Sequence, residues 1–308
     1  MASLLSYVLI TPARNEAQFI GSTIEAVVAQ TARPLKWVIV SDGSVDATDD
    51  IVARYVRDHA WIELIRMPPR RDRHFAGKVH AFNAGYAAVA RLDFEIIGNL
   101  DADVTFPPGH FRGLVQQFAN NPLLGVAGAP FKEGSFQYDY RFSNIENVWG
   151  GCQLFRRRCF EEIGGYLPLK RGCIDHVAVV SARMKGWTTR TFSDSVCLHH
   201  RVMGTAQQGG LKARFHTGIK DYTVGNHPVW ELFRAAYQMT QPPLVFGGLA
   251  LLSGYASASV QGAPVPVSEE LVEFTRREQM QRLRRFLRVG KTPSPEQPAP
   301  SQTVTASK

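Results

Sequence analysis

Two carboxylates one residue apart, Asp101 and Asp103, close an apolar run that reads Ile96-Ile97-Gly98-Asn99-Leu100. In extended chain, side chains at i and i+2 share one side. Such a pair repels itself unless a cation or a proton sits between the two groups. Carboxylate oxygens suit hard divalent ions, Mg2+ or Mn2+, which reach proteins together with a substrate phosphate. For an isolated pair, a solvated Asp-rich turn is the plain alternative. Other polar groups stand at comparable places: Arg14, Asn15 and Glu16 follow the apolar run 7–11, and Asp42 follows the run 37–41.

The elements that must hold these groups alternate along the first half. The patterning predicts strands at 7–11, 37–41, 62–66 and 95–100, and helices at 16–30, 47–58 and 78–90. Strand–helix alternation implies an α/β fold with a mainly parallel sheet flanked by helices. Ligands of such sheets bind at the carboxyl ends of the strands, where these acids and Arg14 fall. There is no G-x-G-x-x-G after the first strand and no G-x-x-x-x-G-K-[ST] in the chain. Without a glycine-rich nest for a diphosphate, a metal ion must do the neutralising.

The second half is less regular. A helix is expected at 174–185, a short strand at 188–191, and helical, basic chain over 205–240. Residues 242–260 carry no charge and are rich in Leu, Gly and Ser. They approach the length of about 20 apolar residues that a bilayer span needs, but their small residues fit an interfacial or buried helix as well. Ser268 can cap a helix running to about 289. Residues 291–308, rich in Pro, Ser and Thr, read as a disordered tail.

The chain has 308 residues, an apolar fraction of 44% and a net charge of +8. Six of those charges fall between Arg276 and Lys291, so the body is near neutral and no nucleic-acid partner is expected. A basic helix instead suits an anionic membrane surface or an acidic partner, with a solvated charged helix packed on its own domain as the plain alternative. Four cysteines without a C-x-x-C pair fit neither a zinc knuckle nor a disulfide framework and suggest reduced thiols. With no signal-type N-terminus, a cytoplasmic protein is expected, peripheral at the inner face of the cell membrane.

Three segments in order resemble a family 2 glycosyltransferase of the GT-A fold, the Rossmann-like fold of nucleotide-diphospho-sugar transferases. They are Leu9-Ile10-Thr11-Pro12-Ala13-Arg14-Asn15-Glu16, then Val38-Ile39-Val40-Ser41-Asp42-Gly43-Ser44-Val45-Asp46-Ala47-Thr48, then Asn99-Leu100-Asp101-Ala102-Asp103. Ser41 stands where the family usually has a first acid. The likeness covers about the first 110 residues and continues more weakly to about 235. It implies a transferase domain over 1–240, with a nucleotide-binding half at 1–110 and an acceptor-side half at 111–240. Residues 241–290 would form a helical extension for membrane attachment.

The resemblance also implies roles. Pro12, Ala13, Arg14, Glu16 and Asp42 would hold the nucleotide, with Asp101 and Ala102 on its ribose side. Asp103 would ligate Mg2+ or Mn2+. Lys78 and Asn83 resemble the family's donor-contacting segment, with Arg70, Arg71 and Arg73 upstream as further diphosphate contacts. Asp175 occupies the place of the base that takes the acceptor's proton; a helix N-cap is its structural alternative. Of His199 and His200, one would complete the metal shell, and His199 is favoured. The processive Q-x-x-R-W motif is absent at 207–211, which implies one transfer per encounter. The implied activity is hexosyl transfer, with inversion, from a nucleoside-diphosphate sugar, UDP-linked in first place, to a lipid-linked or saccharide hydroxyl in envelope polysaccharide or glycolipid synthesis. A sugar nucleotidyltransferase and a catalytically silent membrane-associated scaffold are the competing readings.

Overall fold

The computed structural model describes residues 4–69, 75–134, 136–137, 145–201 and 210–289. Arg70, Arg71 and Arg73, residues 207–209 and the tail from 291 lie outside them.

The main sheet has seven strands: β1 (Tyr7–Ala13), β2 (Lys36–Asp42), β3 (Ile62–Met67), β4 (Ile96–Leu100), β6 (Leu124–Gly128), β9 (Cys152–Arg156) and β10 (Thr188–Thr191). Their spatial order is β10-β6-β9-β4-β1-β2-β3. All neighbours run parallel except β9, which is antiparallel to both β4 and β6. Strands β1, β2 and β4 are apolar at nearly every position because both faces are covered.

Alternation then divides each strand between two cores. Leu9, Trp37, Ile39 and Leu100 meet α1 (Ile20–Val28), α2 (Thr48–Asp58) and α4 (His110–Asn120). Val8, Ile10, Val38 and Ile97 meet α3 (Ala76–Val89), α5 (Arg157–Glu162) and α6 (Ile174–Met184). A side chain at Gly85 would come within 2.6 Å of Ile10 Cγ2, so this glycine sets how closely α3 lies on β1.

A second, small sheet combines β5 (Val104–Thr105), β7 (Phe131–Glu133), β8 (Phe136–Gln137) and β11 (Cys197–His199) in the order β5-β11-β7-β8. The chain passes from the main sheet to the small one through residues 101–103, which form a turn. Asp101 and Asp103 therefore do not share the face of one strand, as the i, i+2 spacing suggests.

Two helices differ from their expected bounds for local reasons. Asn15 has a left-handed φ of 56°. The Glu16 amide donates to Thr48 Oγ1 at 2.8 Å and the Ala17 amide to Asp46 Oδ2 at 3.0 Å. These amides serve the neighbouring loop, so α1 starts at Ile20 rather than Glu16. The basic stretch 205–240 is divided into α7 (Leu211–Thr223) and α8 (Pro228–Gln238). Gly225, at φ 82°, turns the chain, and His227 caps α8 by accepting from the Val229 amide ahead of Pro228 in its first turn.

The C-terminal helices pack on the body. In α9 (Phe246–Val260), a Cβ at Gly254 would lie 1.9 Å from the Phe215 carbonyl of α7, and one at Gly218 equally close to the Leu251 carbonyl. The small residues of 242–260 thus serve a close helix crossing. Among the described residues no helix is long and apolar enough to cross a membrane. Ser268 caps α10 (Glu269–Val289) through the Leu271 amide. Leu271 joins the core shared with α6, and Arg183 of α6 pairs with Glu278.

Candidate active site

The carboxyl ends of β1, β2 and β4 collect most of the polar residues singled out from the sequence. Asp42, the last residue of β2, is only 4% exposed and lies 3.9 Å from the Arg14 guanidinium. Next to it Gly43 has a left-handed φ of 66°, and a Cβ there would strike Pro69 at 2.6 Å. The β1–α1 and β2–α2 loops are sewn together: Val45 donates to Asn15 Oδ1 at 2.9 Å and Asn15 to Ser44 Oγ at 3.1 Å. Pro12 and Ala13 pair with Val40 and Ser41 in register, directly beneath these loops.

Beyond β4 the two aspartates have different neighbours. Asp101 forms an ion pair with Lys78 from the first turn of α3, and its amide donates to the Gly151 carbonyl at 2.8 Å. Asn99 bonds Asp101 Oδ1 at 3.3 Å and the Gly150 carbonyl at 2.6 Å, while its own buried Oδ1 has no hydrogen-bond partner among the described residues. The Ala102 carbonyl accepts from Thr23 at 2.8 Å, which anchors the turn to α1.

Asp103 is 7% exposed, and its Oδ2 lies 3.5 Å from His199 Nε2 and 3.5 Å from Arg201 Nε. Register sets this up, because His199 on β11 stands opposite Val104 on β5. His199 Nδ1 is bonded to Glu133 on β7 at 2.8 Å, which turns Nε2 toward Asp103. Burial opposes ionisation of Asp103, but the hydrogen bond and charge of His199, with Arg201 and Lys78, outweigh it and hold the carboxyl below its usual range. Burial likewise opposes the imidazolium of His199, yet Asp103 and Glu133 raise its pKa. Arg201 also pairs with Glu16, so one guanidinium joins the first loop to the second aspartate. His200 points elsewhere, to Thr105 Oγ1 at 2.9 Å and the Phe19 ring.

Asp175 lies in the first turn of α6, whose N-cap is Cys173 with no side-chain cap bond. Its carboxylate lies against Gly150, where a Cβ would meet Asp175 Oδ2 at 2.6 Å. The buried Tyr166 hydroxyl, bonded to Gln153 at 2.7 Å, is pushed up by burial and then by the charges of Asp175 and Asp101. Asp175 therefore belongs to the same charged neighbourhood as Asp101. Burial pushes the adjacent His176 down to about 4.

Asp42, Arg14, Glu16, Lys78, Asp101, Ala102, Asp103, Asp175 and His199 thus line one edge of the fold. Asn83 does not join them: it is exposed, about 7.5 Å further along α3 than Lys78. Reasoning from sequence missed Glu133, Asn99 and Tyr166, and gave Arg201 no role. Only Arg201, directly after the histidine pair, carried a signal. The donor set of Asp103 and His199 fits a divalent cation: one carboxylate oxygen and one oriented imidazole nitrogen, 3.5 Å apart.

The Glycosyl transferase family 2 model matches residues 8–165. An uncharacterized glycosyltransferase of Nostoc sp. is 30% identical over 116 residues, covering 36% of this chain and 32% of that protein. Glucosyl-dolichyl phosphate glucuronosyltransferase of Haloferax volcanii is 25% identical over 183 residues, 53% of this chain and 55% of its own. The chain spans about a third of the Nostoc relative and about half of the Haloferax one. Among solved structures, a Pyrobaculum calidifontis mannosyltransferase in complex with GDP-Man and Mn2+ superposes with a TM-score of 0.57 at 18% identity, covering 94% of this chain and 82% of that one. TarS of S. aureus with UDP-GlcNAc gives 0.55 at 12% identity, covering 83% and 73%. Both share the GT-A fold with this chain.

Proposed function

Because the chain belongs to glycosyl transferase family 2, we propose that it moves a sugar from a nucleoside-diphosphate sugar to a hydroxyl acceptor, with inversion at the anomeric carbon. A UDP-sugar is the first candidate donor, as in the TarS complex, with GDP-linked sugars second. The observation that carries this reading is that the Asp103–His199 pair follows β4 while Asp175 lies against Gly150, whose carbonyl is bonded by Asn99 near the end of the same strand. The loop from Pro12 to Glu16 and Asp42 would hold the nucleotide, and Lys78 would balance charge on the diphosphate. Asp103 and His199 would hold Mn2+ or Mg2+, which when bound offsets charge on the leaving group. Asp175 would take the acceptor's hydroxyl proton as that oxygen bonds the anomeric carbon and the bond to the diphosphate breaks.

A lipid-linked acceptor at an anionic membrane face fits the outer side of the C-terminal helices. Phe286 and Leu287 are each 61% exposed, beside exposed Arg284 and Arg285. Phe286 packs on Phe233 of α8, and Leu244, Val245 and Phe246 are exposed at the start of α9. Apolar side chains next to arginines are what an interfacial surface requires.

The test is a panel of UDP- and GDP-sugars with purified chain and Mn2+. Metal-dependent release of a nucleoside diphosphate supports the assignment. Release of inorganic diphosphate, or no metal-dependent heat of UDP binding, would overturn it. For the membrane surface, Phe286→Ser with Leu287→Ser should abolish flotation with anionic vesicles; unchanged flotation removes that part of the proposal.

A further inference from the structure

A second cluster lies behind the aspartate turn and has no part in the chemistry above. His110 at the start of α4, Cys152 at the start of β9 and Cys197 at the start of β11 are at most 1% exposed. Their ligand atoms all lie within 4.8 Å of one another. We propose that these three residues form a buried zinc site that ties the small sheet to the main one.

Geometry supports the assignment. His110 Nε2 lies 3.4 Å from Cys152 Sγ and 3.8 Å from Cys197 Sγ. In a zinc tetrahedron with ordinary Zn–N and Zn–S bonds, the nitrogen–sulfur edge is about 3.6 Å. The observed distances fall on either side of it, so an ion fits with little movement. The other ring nitrogen, Nδ1, is bonded to Ser195 Oγ at 2.7 Å, which fixes the ring and leaves Nε2 for the sulfurs.

Charge and softness choose the ion. Two thiolates and one imidazole disfavour the oxygen-seeking Mg2+ and Mn2+. Zn2+ replaces the two thiol protons, which leave to solvent, and the buried unit is then neutral. A monovalent Cu+ would leave one negative charge in the interior, a costly arrangement. A cavity of about 190 Å3, lined in part by Pro107, His110, Phe192, Asp194 and Ser195, adjoins the imidazole. It lies on the Nδ1 side of the ring, beside Ser195, and the three protein ligands leave the fourth position of the tetrahedron to a small ligand such as water.

The position indicates the role. Cys152 is the register partner of Leu100, next to Asp101, and Cys197 precedes His199 by two residues. An ion here would hold β9, β11 and α4 together immediately behind Asp103, and so fix how the two sheets meet.

The test is the zinc content of the full chain by plasma mass spectrometry, together with absorption spectra after cobalt substitution. About one zinc per chain is expected in the wild type, in Cys159→Ser (a buried thiol outside the cluster) and in Asp103→Asn, and below about a tenth in Cys197→Ser. Cobalt-loaded wild type should show thiolate-to-metal charge-transfer absorption, and this decides the matter if Cys197→Ser fails to fold. Three results would each overturn the proposal: wild type that takes up no zinc, a Cys152–Cys197 disulfide in the native mass, or cobalt–thiolate bands that persist in folded Cys197→Ser.

Discussion

His199 Nε2 faces Asp103 Oδ2 across 3.5 Å, and Glu133 holds the ring in that orientation from its other nitrogen. Against the opposing effect of burial, the two carboxylates raise the pKa of His199, so a proton competes with a metal for this ring up to a higher pH than at an ordinary histidine. Affinity for Mn2+ should therefore rise with pH until the ring is neutral, above the ordinary histidine value of about 6.5. Glu133→Gln removes the orienting carboxylate and should weaken Mn2+ binding by about 10–100-fold. Titration calorimetry with UDP present reads both effects.

Asp175 and Gly150 make a separable prediction about the base. Asp175→Asn keeps shape and loses the proton acceptor, so transfer should fall by about 10²- to 10⁴-fold while UDP and Mn2+ still bind. A methyl group at position 150 would come within 2.6 Å of Asp175 Cβ and Oδ2. Gly150→Ala should then lower kcat by displacing the carboxylate, with donor affinity largely kept. Steady-state kinetics beside UDP binding separates the two parameters. Equal loss of both would argue that Asp175 holds the donor instead.

Strands β1, β2 and β4 were legible because burial on both faces leaves long apolar runs, and the acids and Arg14 at their ends stand out against them. The pairing of the small sheet was not legible, since its strands have only two or three residues and carry no period. Glu133 reaches His199 only because β7 and β11 pair, a contact across 66 residues. The 242–260 stretch left a spanning, an interfacial and a buried helix open for a different reason. Composition counts glycines as small and apolar, whereas Gly254 is required where the α7 and α9 backbones touch. The His110, Cys152 and Cys197 cluster has no local spacing at all; three separate elements bring it together.

Glu231 makes the stability of the C-terminal half depend on pH. Its side chain is fully buried, 3.4 Å from Arg234, which also pairs with Asp221 at 2.5 Å. Burial, and then the charge of Asp221, push its pKa up from 4.5 to about 7. The folded state thus keeps a proton that the unfolded chain gives up near 4.5. Stability should fall as pH rises from about 4.5 to 7 and level off above, by on the order of 3 kcal/mol. Glu231→Gln should flatten that slope and leave the protein more stable than wild type at pH 8. Urea unfolding at several pH values measures it.

Arg183 and Glu278 decide whether α10 is part of the body or a detachable anchor. Glu278 accepts from Arg183 Nε at 2.8 Å and Nη2 at 2.9 Å, with the Arg183 side chain only 8% exposed. Glu278→Ala leaves that guanidinium buried and without its carboxylate, a loss of about 2–4 kcal/mol once the partial exposure of Glu278 is allowed for. Arg183→Met in the same chain removes the stranded charge and fills its space. The double variant should then recover much of the stability lost by Glu278→Ala alone. A free anchor would behave otherwise, because neither substitution would move the unfolding midpoint of the transferase body. Chemical denaturation of both single variants and the double variant therefore tests whether α10 is fastened to α6, independently of any membrane binding.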